Sequence, residues 1–145
     1  MSYVELACYK IKKLNMQNKI IDTQEVVGYN KDHISVEFNE NHSMAIATLV
    51  EEIGLEDDPS KFYIKLILEG VFSLEGVRTK AQKEEVHRKC YDDLFLLAEQ
   101  IIRFLTIHSG MSEGISIQKR TLKQVNSGPE PEKRNEKLID FPADI

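Results

Sequence analysis

The run from Phe62 to Leu74 constrains this chain more than any other stretch of it. Its even positions are Phe62, Ile64, Leu66, Leu68, Gly70, Phe72 and Leu74; its odd positions are Tyr63, Lys65, Ile67, Glu69, Val71 and Ser73. Successive side chains of a strand point to opposite faces, so the even set forms an apolar wall and the odd set a mixed surface. A long strand with one buried face is the habit of antiparallel sheets.

The sequence upstream supplies partners for it. Ile34, Val36 and Phe38 alternate with Ser35, Glu37 and Asn39. Asn39-Glu40-Asn41-His42 reads as a tight connection and Met44 to Ile53 as the returning strand. Gly54 to Ser60 is turn chemistry, with Pro59 biasing Asp58 away from helix. Tyr3 to Met16 is also strand-like, with Tyr9 and Ile11 on one face and Lys10 and Lys12 on the other. Sequential strands with short links predict a four-stranded meander.

Beyond Gly76 the period changes. Thr79 to Ser109 holds neither Gly nor Pro, and Gly110 is a good helix terminator. Thr79 with Gln82 predicts a capping box. The first half is largely charged, and Asp92-Asp93 opens a strongly apolar second half, so the spacing fits one kinked helix or two. At about 100° per residue, Leu94, Phe95, Leu97, Ala98, Ile101, Ile102, Phe104 and Leu105 cover about half the circumference, with Leu96 and Ile107 outside that arc. A helix on one sheet needs a stripe of only about 100°. The surplus predicts a homo-oligomer, with Leu96, Phe104 and Ile107 as interface candidates; the alternative is that residues 111–126 cover the extra face.

The 145 residues suit one domain, expected over 1–126. From Ser127 to Lys137 the only apolar residues are Pro129 and Pro131, too few to offset the entropy of ordering the segment. Residues 127–145 therefore read as a disordered tail. Leu138-Ile139-Asp140-Phe141-Pro142 carries a second reading, a short segment docking on a partner or on the protein's own surface. A net charge of −5 argues against nucleic acid as partner. Two cysteines support neither a disulfide framework nor a zinc cluster, and Cys8 and Cys90 read as small buried hydrophobes. No apolar run is long enough to span a bilayer. Met1 to Lys13 lacks the apolar centre of a signal peptide. The expectation is a cytoplasmic protein without membrane insertion.

Motifs for chemistry are absent from the sequence: no phosphate-binding glycine loop, CxxC, HExxH or GxSxG occurs. His87 and Cys90 could share a helical face, but two ligands are not a metal site. The carboxylates between Glu51 and Asp58 fall on a strand end and a turn, where a solvated surface is the default and an acidic docking patch the alternative. No catalytic residue, metal or cofactor is expected, so function should lie in surfaces. The odd face of the long strand offers Tyr63, Ile67 and Val71 as a column of polypeptide-binding candidates, broken by Lys65 and Glu69. A solvated sheet face with scattered apolar residues is the plainer alternative.

Taken together, Phe62 to Gly76 resembles the long fourth strand of the SecB family of export chaperones, which runs into a Gly-apolar-Phe element and then a helix. Leu94-Phe95-Leu96-Leu97-Ala98-Glu99-Gln100-Ile101-Ile102-Arg103-Phe104-Leu105-Thr106, followed by Ser109-Gly110, is similar to that family's first long helix. The Tyr-Lys-Ile-Lys-Lys-Leu strand at residues 9–14 and the hairpin strands at Ile34–Phe38 and Met44–Ile53 fit in order and spacing, over about residues 3–118. The resemblance implies an α+β fold, a four-stranded antiparallel sheet packed on a long helix, assembled as a homotetramer (a dimer of dimers) with the helices between the sheets. It implies an ATP-independent chaperone for unfolded polypeptide clients, either in export, where clients pass to SecA, or dedicated to an antitoxin of a toxin–antitoxin system. A non-catalytic scaffold or adaptor with the same fold is a further alternative. Three departures bear on this: Leu96 replaces the usual proline of the helix opening, Lys65 stands where the export chaperones carry the carboxylate that SecA reads, and no second C-terminal helix is evident. Client binding is accordingly the stronger implication and SecA docking the weaker.

Overall fold

A computed structural model describes residues 3–19, 26–55, 61–110, 114–117, 119, 126–127 and 137–141. The strands are β1 (Tyr3–Asn18), β2 (Val26–Phe38), β3 (Met44–Leu55), β4 (Phe62–Glu75), β5 (Asn126–Ser127) and β6 (Lys137–Phe141). One helix, α1 (Lys80–Ile107), lies between β4 and β5 in the chain. Strand alternation sets the layers. Every even residue of β4 from Phe62 to Leu74 is buried, and the odd residues from Tyr63 to Val71 are half-buried. The buried side meets Ala45, Ala47, Leu49 and Ile53 of β3 and Leu94, Ala98 and Ile102 of α1, in one continuous core.

The four-stranded antiparallel sheet on a single long helix is present, with strand order β1-β4-β3-β2 and β5 beyond. Only β2, β3 and β4 form a meander. β1 joins the far edge of β4 instead of pairing with β2. β4 would otherwise leave one edge of backbone donors and acceptors unmade, and β1, at 16 residues against 14, is long enough to satisfy it throughout. β1 carries two register shifts, between Leu6 and Cys8 and between Ile11 and Lys13. The β2–β3 connection is the expected tight turn: the Asn39 side-chain oxygen accepts from the backbone N–H groups of Ser43 and Met44.

Thr79 caps α1 with the full capping box, Gln82 N–H donating to Thr79 Oγ1 at 3.1 Å and Thr79 N–H to Gln82 Oε1 at 2.9 Å. The helix is one, not two. Ion pairs Arg88–Asp92 (3.1 Å) and Lys89–Asp93 (2.9 Å) bridge the change from charged to apolar sequence one turn apart, so the junction is stitched where a break was open. Gly70 lets Leu94 of the helix pack close on the sheet: a Cβ there would stand 3.0 Å from Leu94 Cδ2.

After the helix the chain turns back along it. Thr106, fully buried, donates to Ile102 O at 2.8 Å and accepts from Ile115 N–H at 2.8 Å, and Ile115 and Ile117 enter the core. Lys119 reaches Asp92 at 2.8 Å. The described residues beyond Gly110 include no second helix. At the outer edge of β2, β5 pairs parallel with His33–Ile34, and β6 pairs antiparallel with Val26–Asn30. Lys137–Phe141, in the segment read as a tail, thus adds a strand to the protein's own sheet, where an open edge supplies unmade backbone partners; residues 128–136 and 142–145 lie outside the described residues.

Candidate functional site

The register converts the odd face of β4 into a surface shared by four strands. Reading from β1 to β2, Lys13, Ile67, Val50 and His33 are successive partners; so are Lys10, Glu69, Thr48 and Ser35, and so are Cys8, Val71, Ile46 and Glu37. On the other side of the first of these rows lie Asn15, Lys65, Glu52 and Lys31. Apolar centres at Ile67–Val50 and Val71–Ile46 therefore alternate with charged or polar rows. Glu69 collects Lys10 and Lys12, both at 3.6 Å, which closes one charged row.

Tyr63, Ile67 and Val71 all stand on this face, half-buried. They do not form a continuous column, because Lys65 and Glu69 separate them as the alternation requires. Their apolar continuity runs sideways into β3, through Val50 and Ile46, the latter 41% exposed. Sequence reading missed both β3 residues and the flanking Lys13 and His33. The available signal was the Lys12-Lys13 pair, which breaks alternation in β1 at its second register shift.

An open cavity of about 650 Å³ is lined by mixed-face residues of all four strands, among them Lys12, Lys13, His33, Thr48, Val50 and Ile67, and also by Val36 and by His87 of α1 from the helix-bearing side. His87 packs beside the Phe38 ring, and burial lowers its pKa from the ordinary 6.5, with Glu84 opposing. Cys90, one turn on, is fully buried, and desolvation pushes its thiol up to about 12. Among the described residues no group of three or more His, Cys, Asp or Glu could hold a metal ion.

Two expectations are corrected. Cys8 is exposed, because the register shift after Leu6 turns it to the mixed face of an edge strand. Glu51 and Glu52 are buried rather than part of an acidic patch, since β3 continues to Leu55 and keeps them inside the sheet. Asn30 Nδ2 donates to Glu51 Oε1 at 2.9 Å, while Tyr29 and Lys31 attend Glu52 at 3.4 and 3.7 Å. Tyr91 donates to the buried Asp32 at 2.9 Å. Residues 56–58 lie outside the described residues.

The helix side has its own uncovered surface. Leu96, Phe104 and Ile107 are 55%, 61% and 41% exposed, although Gly114 lies so close to Ile107 that a Cβ there would stand 3.0 Å from its Cγ1. Tyr9, Ile11 and Leu14 of β1 pair with Gly70, Leu68 and Leu66, and so stand on the helix-bearing face, each more than two-fifths exposed. No helix among the described residues is long and apolar enough to cross a membrane.

No family model matches the sequence, and no curated relative does. Among solved structures the chain is similar to a SecB-like chaperone of Mycobacterium tuberculosis, solved in complex with a peptide from an antitoxin. The two superpose with a TM-score of 0.61 over 81% of this chain and 91% of the other, at 6% sequence identity. The fold is SecB-like.

Proposed function

We propose that this chain is an ATP-independent chaperone that holds unfolded polypeptide on the mixed face of its sheet. The observation that carries the reading is that face itself: apolar side chains of β3 and β4, Ile46, Val50, Ile67 and Val71, reach solvent between charged rows on a rigid sheet. Such a surface offers contact area to extended chain while staying soluble. The SecB-like fold supports the reading. So does the second uncovered surface around Leu96, Phe104 and Ile107, which we assign to self-association into a homotetramer, a dimer of dimers. The place of action is the cytoplasm. SecA docking stands outside the proposal, because Lys65 occupies the position where export chaperones carry a carboxylate.

The test is aggregation suppression. Mixed with several unrelated denatured proteins, the chain should slow the growth of light scattering by each. Replacing Tyr63, Ile67 and Val71 together by Ser should weaken that effect with the oligomer intact. A chain that protects none of them is no general holdase. The antitoxin peptide bound by the similar chaperone favours a second reading, a chaperone dedicated to one antitoxin; protection of a single client class would select it. Binding to one folded partner alone would select the scaffold.

A further inference from the structure

One transverse row of the mixed face differs from its neighbours. Lys13, Ile67, Val50 and His33 all line the cavity and follow one another across the four strands. Lys10 and Lys12 share Glu69, whereas Lys13 is exposed and has no ion-pair partner among the described residues. At the other end His33 is only 7% exposed, and its Nε2 is buried with no hydrogen-bond partner among the described residues. A polar atom in that condition has a hydrogen bond left to make, with water or with a bound group. The row thus presents a free cation, two apolar side chains and an unmade hydrogen bond, in that order.

The spacing fits a peptide. Neighbouring strands lie about 4.8 Å apart, so the backbone distance from Lys13 to His33 is about 14 Å, and the midpoint of Ile67 and Val50 is about 7 Å from either end. An extended chain rises about 3.3 Å per residue and turns every second side chain to the same face. Residues i, i+2 and i+4 of such a chain therefore fall near 0, 7 and 13 Å. Glu37, the cavity's carboxylate on β2, lies four residues from His33, about 13 Å along the strand, and does not neutralise the Lys13 end.

We propose that this row is a client subsite for one short motif, read across the strands instead of along β4. A carboxylate at position i meets Lys13, a bulky apolar side chain at i+2 sits over Ile67 and Val50, and a hydroxyl or backbone group at i+4 hydrogen-bonds His33. The inference rests on the chaperone reading and gives it a sequence preference.

Fluorescence anisotropy with labelled peptides of about twelve residues tests it. One peptide carries Asp-x-Leu-x-Thr, a second has Asn for Asp, and a third has the acid moved one position. The intact protein should bind the first about tenfold more tightly than the others. Lys13→Gln, an exposed change, should abolish the preference for Asp over Asn while leaving the Asn peptide's affinity unaltered. Val50→Ser should weaken all three, and Lys80→Gln, an exposed change at the start of α1 and away from the sheet face, should change none by more than about twofold. Equal affinity for the Asp and Asn peptides, in a protein that still protects denatured clients, overturns the motif and spares the chaperone reading. Displacement of the Asp peptide by millimolar acetate would make the row a small-anion site and also overturn it. Failure to bind any unfolded polypeptide would remove both.

Discussion

At Gly54 the Tyr29 ring occupies the space a side chain would need: a Cβ would stand 2.8 Å from the Tyr29 hydroxyl oxygen. Gly54→Ala should therefore lower stability by about 1–3 kcal/mol, read as a lower urea midpoint with unchanged slope. The two cysteines separate by environment. The buried Cys90 thiol, raised from 9.0 to about 12, stays protonated and unreactive, whereas Cys8 is exposed. A thiol reagent at pH 8 should modify one cysteine in the native protein and both in denaturant. A raised folded-state pKa gives a stabilising contribution that is complete below about 9 and is lost as pH climbs toward 12. Both thiols read as buried in the sequence; only Cys90 is, because no local signal marks the register shift that turns Cys8 outward.

At the element scale, periodicity located β3, β4 and α1 to within a residue or two, since each has one buried face that composition must honour. The capping box was legible from the Thr79–Gln82 spacing alone, because it is made by side chains three residues apart on the helix's own first turn. Thr79→Ala should cost about 1 kcal/mol, measurable by thermal melting against the parent. Continuity of α1 through Asp92-Asp93 was left open by the change from charged to apolar sequence; in the structure the Arg88–Asp92 and Lys89–Asp93 pairs span that junction. Nor was the β1–β4 pairing, which satisfies backbone groups and leaves no pattern in the side chains. His87 joins helix to sheet through Phe38, and burial keeps its pKa below 6.5. With a depressed pKa the neutral form is favoured, so this contribution is whole above about pH 6.5 and falls away as pH drops through the folded value. A proton NMR titration should place the His87 midpoint below that of an unfolded peptide; a midpoint at or above it would contradict the packing described.

For the whole molecule, surplus apolar surface was readable on the helix and only half readable on the sheet. Leu96 and Ile107 fall outside the arc a single sheet could cover, which the sequence pattern exposes. The row structure of the mixed face depends on four strands in fixed register, two of them joined across a long sequence gap. The self-association assigned to the helix side predicts sedimentation of an oligomer at micromolar concentration, and Phe104→Glu should shift it toward smaller species. The most direct test of the account is calorimetric titration of a permanently unfolded polypeptide into the intact protein and into the Tyr63→Ser, Ile67→Ser, Val71→Ser variant. The account predicts saturable binding with a negative heat-capacity change for the former, weakened about tenfold or more in the latter. No binding, or equal binding by both proteins, would contradict it.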